Sequence, residues 1–217
     1  MHIEIGIIDQ ARLVAANAGA IALVATQLPA MVKNPLNIPK AVLAGLVFTV
    51  LMQIWHQPVG PSELHLIGAT SIYLLFGFAP AMIGLALGLV FQSVVFEPQD
   101  IVHLGVNALT LMTPMVALHY TFGKRLFDGA MKERFTLGKV LRIDAVYYAG
   151  VSAMVGFWLM ISGGGLTVAT WATWAVAYMP VFAAEALLTF TVVMIVRRWQ
   201  DSKPVQTLTN VGDLRFA

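Results

Sequence analysis

HLIGATSIYLLFGFAPAMIGLALGLVFQSVVF, residues 65–96, is the stretch on which the number of membrane crossings turns. A helix needs about 20 apolar residues to cross the hydrocarbon core of a bilayer. Ala79–Phe96 comes close to that length, whereas Leu66–Phe76 is too short to cross alone. The two are separated only by the Gly77–Pro80 region. The stretch reads either as one long kinked helix or as a short tilted helix followed by a tight turn. The first gives six crossings in total and the second gives seven.

Outward from it lie the apolar runs Asp9–Leu28, Ala41–Trp55, Ile101–Phe122, Ala145–Ile161 and Thr170–Val196. Basic residues gather on the cytoplasmic side of membrane proteins, so their distribution chooses between the two counts. With seven crossings and the N-terminus outside, Lys33, Lys40, Lys124, Arg125, Lys132, Arg134, Lys139 and Arg142 all fall inside. Arg197, Arg198, Lys203 and Arg215 join them after the last run, and only Arg12 remains on the outer half. The outer segments carry Glu4, Asp9, Glu63, Glu97 and Asp100 and no Lys. Six crossings would put the Lys33/Lys40 loop and the Lys124–Arg142 loop on opposite sides. The expected fold is therefore an all-α polytopic membrane bundle of about seven transmembrane helices, N-terminus outside, in the inner (cytoplasmic) membrane.

Composition agrees. The 217 residues are 59% hydrophobic and 11% charged, with a mean hydropathy of +0.79; a soluble domain carries about a quarter charged residues. No polar segment is long enough to fold separately, so residues 1–217 read as one transmembrane domain. The chain has no Cys, which removes disulfides, thiolate metal sites and iron–sulfur clusters. A net charge of +2, spread between the apolar runs, gives nucleic-acid binding no support. No basic segment precedes the first run, so that run reads as a retained span and not as a cleaved leader. Gly163-Gly164-Gly165 lacks the strand, Lys and Ser/Thr context of a phosphate-binding loop, so no ATP site is expected in this chain.

The chemistry is expected on the outer side, where residues 1–9, 56–65 and 97–103 are polar or carry His. Five His are present: His2, His56, His65, His103 and His119. His56 and His119 read as interfacial or packing residues, and His103, at the start of a span, fits either a packing or a site role. His2 stands apart. The Met1 amine, the His2 amide nitrogen and the His2 imidazole can close fused chelate rings on three corners of one plane. Deprotonating the amide is within reach of Ni(II) and Cu(II), and a further imidazole would complete a planar nitrogen site suited to late divalent metals.

Four segments extend this reading. Met1-His2-Ile3-Glu4-Ile5-Gly6 opens the chain, Gly60-Pro61-Ser62-Glu63-Leu64-His65-Leu66-Ile67-Gly68 follows, then Leu104-Gly105-Val106-Asn107-Ala108, then Pro180–Thr189 with Glu185 at its centre. In order and approximate spacing they resemble the CbiM/NikM family, the substrate-binding membrane components of cobalt and nickel energy-coupling-factor transporters. The resemblance implies a seven-helix fold and a metal held by the Met1 amine, the His2 amide and imidazole, and the His65 imidazole. It places Asn107 in a loop near the site, and Glu63 and His103 are read beside it as further supporting residues. Glu185, read as the one carboxylate deep in a span, is implied as a structural or coupling residue. Nickel or cobalt is then transported substrate. The partners implied are an ATPase, transmembrane coupling subunits and a small accessory membrane subunit, with the basic Lys124–Arg142 stretch and Arg197-Arg198 facing them or anionic lipid.

The chain departs from the family pattern in three places. Glu4-Ile5-Gly6 replaces the usual Asp-Gly-Phe, Pro61 and Glu63 replace small hydroxyl residues, and the sixth helix reads Ala145–Gly150 where an acidic Gly-Asp-Leu-x-Thr-Tyr stretch is typical. The alternative function is a membrane haem or redox protein using a pair among His56, His103 and His119. An intramembrane hydrolase built on Ser71 or Ser93 has no His and acid arrangement to support it.

Overall fold

Backbone N–H and C=O groups cannot lie unpaired in lipid, so a chain this apolar must satisfy them within helices or inside the protein. The computed structural model describes residues 3, 6–127, 135–162 and 167–214, and it is all-α apart from one short hairpin. Among the described residues, six helical segments are long and apolar enough to cross a membrane. The first joins α1 (Gln10–Ala25) to α2 (Leu28–Lys33) through a break at Thr26 and Gln27. The others are α3 (Asn37–Ile54), α5 (Phe78–Val95), the Pro98–Phe127 segment around α6 (Leu104–Leu118), α8 (Leu137–Ile161) and α9 (Val168–Arg197). Within the Pro98–Phe127 segment a 3-10 turn precedes α6, and a π-helical turn and α7 (Lys124–Phe127) follow it. A last short helix, α10, spans Lys203–Leu208. The multi-pass membrane bundle expected from the sequence is what the chain forms. Of the residues used in the charge argument, Glu4, Lys132, Arg134 and Arg215 lie outside the described residues, as does Gly163-Gly164-Gly165.

The stretch 65–96 resolves into two helices. Gly77, at φ +84°, ends α4 (Ala69–Phe76) and starts α5. A side chain there would be strained by that φ, and its Cβ would sit 2.9 Å from Asn210 Nδ2. All eight residues of α4 are buried. At 1.5 Å per residue α4 is only about 12 Å long, less than half a crossing. The hairpin β1 (His56–Val59) and β2 (Ser62–His65) and the loop 66–68 lead into it. Non-helical backbone at that depth is tolerated because it is buried in protein.

Two carboxylates pin this passage. Glu185 of α9, fully buried, accepts the backbone N–H of Ile67, and its two oxygens accept the N–H of Gly68 at 3.1 and 3.0 Å. Those amides lie at the N-terminal end of α4, the positive end of its dipole, which favours an anionic partner. Asp144 of α8, equally buried, accepts the Thr70 hydroxyl. Thr70 also meets Thr189 of α9 at 2.9 Å, and Ser71 meets Thr189 at 3.0 Å. The reading of Glu185 as the one deep carboxylate is thus corrected. α8 begins at Leu137, eight residues before the run Ala145–Ile161 that hydropathy suggested, and that extension places Asp144 inside a helix and inside the core. Thr136 caps it, its hydroxyl accepting the Lys139 N–H.

The ends of α4 give the bundle its direction. Glu185 is twelve residues before Arg197, about 18 Å along α9, so α4 starts well within the membrane. Its far end meets the segment beyond α9, where the Asn210 N–H donates to Leu75 O and Lys40 Nζ donates to Asn210 Oδ1 at 2.6 Å. Tyr73 meets His119 Nδ1 at 2.9 Å, and His119 stacks on Phe78 with ring centroids 3.9 Å apart. Lys40 and the segment after α9 therefore share one end of the bundle, as the basic-residue argument requires. Around α4, α3 packs on α5, α6 on α8, α8 on α9 and α1 on α6. Asp9 caps α1, where the Arg12 amide and guanidinium hold its carboxyl below the usual range.

Two outcomes are expected from this packing, both read by thermal unfolding in detergent micelles. Glu185→Ala leaves the buried Ile67 and Gly68 amides without their acceptor and lowers stability by about 2–5 kcal/mol, while Glu185→Gln, which keeps one acceptor oxygen, loses less. Gly84→Leu forces a side chain against Ala44 and the backbone of Ala41 and Gly45, both 3.0 Å from the added Cβ. The expected loss is about 1–3 kcal/mol, whereas Gly138→Ala, with nothing within 4 Å of its Cβ, is tolerated.

Candidate metal centre

The hairpin is closed by Gly60-Pro61, with Gly60 at φ +57° supplying the left-handed corner. Its register pairs His56 with His65, Gln57 with Leu64, Pro58 with Glu63 and Val59 with Ser62. Period-2 alternation then puts His56, Pro58, Glu63 and His65 on one face. The strands differ in burial. Ser62, Leu64 and His65 of β2 are buried, while His56, Gln57 and Pro58 of β1 are exposed. The hairpin lies with β2 toward the bundle and β1 toward the outside.

His65 is 1% exposed. One ring nitrogen, Nε2, lies 3.1 Å from Glu63 Oε2, and the other, Nδ1, is 3.5 Å from Met52 O, at the limit of a hydrogen bond. A carboxylate on one nitrogen of a His fixes its ring and raises the basicity of the other nitrogen, the arrangement found around metal-bound imidazoles. Two residues further on, the Ile67 and Gly68 amides are tied to Glu185. The imidazole is thus held from its own strand and from α9.

The N-terminal segment reaches the same place. Ile3, 2% exposed, forms an antiparallel bridge with Ser62. Its carbonyl accepts a hydrogen bond from His103 Nδ1 at 3.0 Å. A carbonyl only accepts, so Nδ1 of His103 carries the proton. His103 and Asn107 are four residues apart at the start of α6, both buried, and the Asn107 Oδ1 has no partner among the described residues. Met1 and His2, the other expected ligand residues, lie outside the described residues. Among the described residues no group of three or more His, Asp or Glu side chains stands close enough to hold a metal.

Of the sequence-predicted residues, His103 bonds Ile3, Glu63 and His65 lie on the strand that Ile3 bridges, and Glu185 anchors the loop behind that strand. The residues the sequence reading passed over are Asp144, Thr70 and Thr189, which fix α4, while His56, read there as an interfacial or packing residue, has its ring 5.8 Å from that of His65. The spacing of Thr189 four residues after Glu185, one turn along the same helix face, was the available signal for the first group. A haem pair drawn from His56, His103 and His119 loses His119, which is engaged at the far end of α4 by Tyr73 and Phe78. Ser71 bonds Thr189 and Ser93 bonds the Leu89 carbonyl, so neither serine meets a His–acid pair.

Comparison with known proteins bears on the fold and the family. A Haemophilus influenzae protein named for metal transport is 29% identical over 198 residues, covering 90% of this chain and 92% of its own. A crystal structure of a transition metal transporter superposes with a TM-score of 0.71 at 19% identity, over 94% of this chain and 96% of that one. A truncated transition metal transporter gives a TM-score of 0.72 at 20% identity, over 91% and 99%. These two share the fold. The family described as the cobalt uptake substrate-specific transmembrane region matches residues 2–202, and the chain belongs to that family of metal-uptake membrane proteins.

Proposed function

We propose that the chain captures a divalent transition metal, nickel or cobalt, on the outer face of the inner (cytoplasmic) membrane, and that it is the substrate-specific component of an ATP-driven uptake system. The ligands in this reading are the Met1 amine, the His2 amide and imidazole, and the His65 imidazole. The observation that carries it is the Ile3–Ser62 bridge, which ties Ile3 to the hairpin bearing His65. Covalent continuity keeps residue 2 within one Cα–Cα step of Ile3, about 3.8 Å. Four nitrogens in a plane suit Ni(II), and nitrogen ligation also serves Co(II), so affinity alone does not divide the two.

The supporting residues take defined parts in this reading. Glu63 orients His65, His103 clamps the strand through the Ile3 carbonyl, and Glu185 fixes the loop behind the imidazole. The buried Asn107 oxygen would accept from an N–H of the N-terminal segment, which removes a penalty of about 1–3 kcal/mol for leaving it unpaired. The chain is not proposed as an enzyme. A separate ATPase and transmembrane coupling subunits, with a small accessory membrane subunit, would supply the energy. The end of the bundle bearing Lys40, Lys124, Arg125, Arg142 and Arg197 offers them a basic face.

The chelate is tested with protein carrying its authentic N-terminus. One residue added before Met1, or acetylation of the amine, is expected to abolish high-affinity Ni(II) and Co(II) binding, and unchanged affinity by calorimetry would sink the proposal. His65→Ala removes the fourth nitrogen, with an expected loss of at least about a hundredfold in affinity, some 2.7 kcal/mol. Retention of full metal content by that variant would show that another group completes the site.

A further inference from the structure

His65 is almost fully buried, so a hydrated ion arriving from solution does not meet it first. His56 is exposed and stands directly across the hairpin from it, at a non-hydrogen-bonded pair, where facing side chains come closest. The hydrogen bond from the Leu66 N–H to Trp55 O, one position further along, confirms that alternation. The His56 and His65 ring centroids are 5.8 Å apart, with the planes tilted by 34°. A divalent late metal sits about 2.0–2.1 Å from each imidazole nitrogen, with the ring centroid about 1.2 Å behind it. Two rings sharing one ion therefore have centroids between about 4.5 Å for cis and about 6.4 Å for trans ligands. The observed separation falls inside that window without any movement of the backbone. Glu63, half-buried on the same face, adds a carboxylate charge beside the pair.

We propose that His56 is a loading ligand: the cross-strand pair His56–His65 takes a divalent transition metal from solution and passes it on to the site proposed above, in which His56 has no part. The proposal rests on the metal-capture reading above. Two imidazoles leave the remaining positions to water, so the pair binds weakly and releases readily, which suits a way station and not a store. Nothing in the capture reading itself uses His56.

Purified full-length protein with its authentic N-terminus, in detergent, is mixed with NiCl2 in a stopped-flow instrument, and quenching of Trp55, adjacent to His56, reports arrival. His56→Gln is expected to slow association at least about tenfold, with the equilibrium affinity by calorimetry held within about threefold, because a way station changes on- and off-rates together. His56→Asp, which restores a metal-binding group on the same exposed strand, is expected to recover most of the rate. An unchanged rate in His56→Gln, or an Asp variant as slow as the Gln variant, overturns the loading role. A large loss of equilibrium affinity also overturns it, by making His56 a resident ligand. The underlying reading fails separately, when His65→Ala binds NiCl2 as tightly as the parent.

Discussion

The carboxylate of Glu185 holding the Ile67 and Gly68 amides is the contact on which the rest of the arrangement depends. A carboxyl group inside a membrane protein is unfavourable unless polar partners surround it. Here three N–H···O contacts and the positive end of α4 surround it at once. The same contact answers the opposite difficulty, since the loop 66–68 carries backbone donors at a depth where no water reaches them. Each group removes the other's penalty. That is why an eight-residue helix can stand among six helical segments that are each long enough to cross alone.

Once α4 is fixed at that depth, the two ends of the molecule acquire different work. Above it the chain is extended: the hairpin, the Ile3 bridge and the His103 clamp are built from backbone pairing and imidazoles. Below it, Lys40, Asn210, His119 and the segment after α9 close the bundle with side-chain hydrogen bonds and stacked rings. Asp144, Thr70, Ser71 and Thr189 form the joint between the two halves, linking α8, α4 and α9 through hydroxyls, which can donate and accept in the same place. A displacement of α4 along its axis would have to break both carboxylate anchors together. The short helix is thus a rigid link between the hairpin side and the basic side.

How much of this could be read beforehand follows from which forces leave a pattern in sequence. Length and apolar content mark a helix that crosses lipid, so the long runs were legible and only their bounds moved, as at α8, where a polar first turn hid residues 137–144. The break at Gly77 was legible as a possibility and was decided by the basic residues, because the charge rule counts loops and not helix lengths. The resemblance singled out the loop that carries Glu63 and His65, and the hairpin register puts both on one face. The cross-strand partner of His65 was not legible, because pairing between positions 56 and 65 depends on the turn at Gly60-Pro61, and hydropathy read those residues merely as an outer loop. Asp144 escaped for a related reason. A carboxylate is placed in or out of the membrane by where its helix starts, and that start is set by the Thr136 cap.

The proposed site also has an energetic logic that the hairpin alone does not provide. A preorganised cage of four protein ligands would bind tightly but would have to open to admit and discharge its ion. A site divided between a chain terminus and a fixed imidazole separates those demands. His65 is held in advance by Glu63 and, through the loop, by Glu185, so little ordering is left to do at that ligand when metal arrives. The other three nitrogens belong to two adjacent residues, whose chelate closes over a short covalent path and loses little entropy in doing so. A movement of α4 imposed from the basic end would reach His65 through three intervening residues, and that short path is the physical basis on which a partner's conformational change could be coupled to the ion.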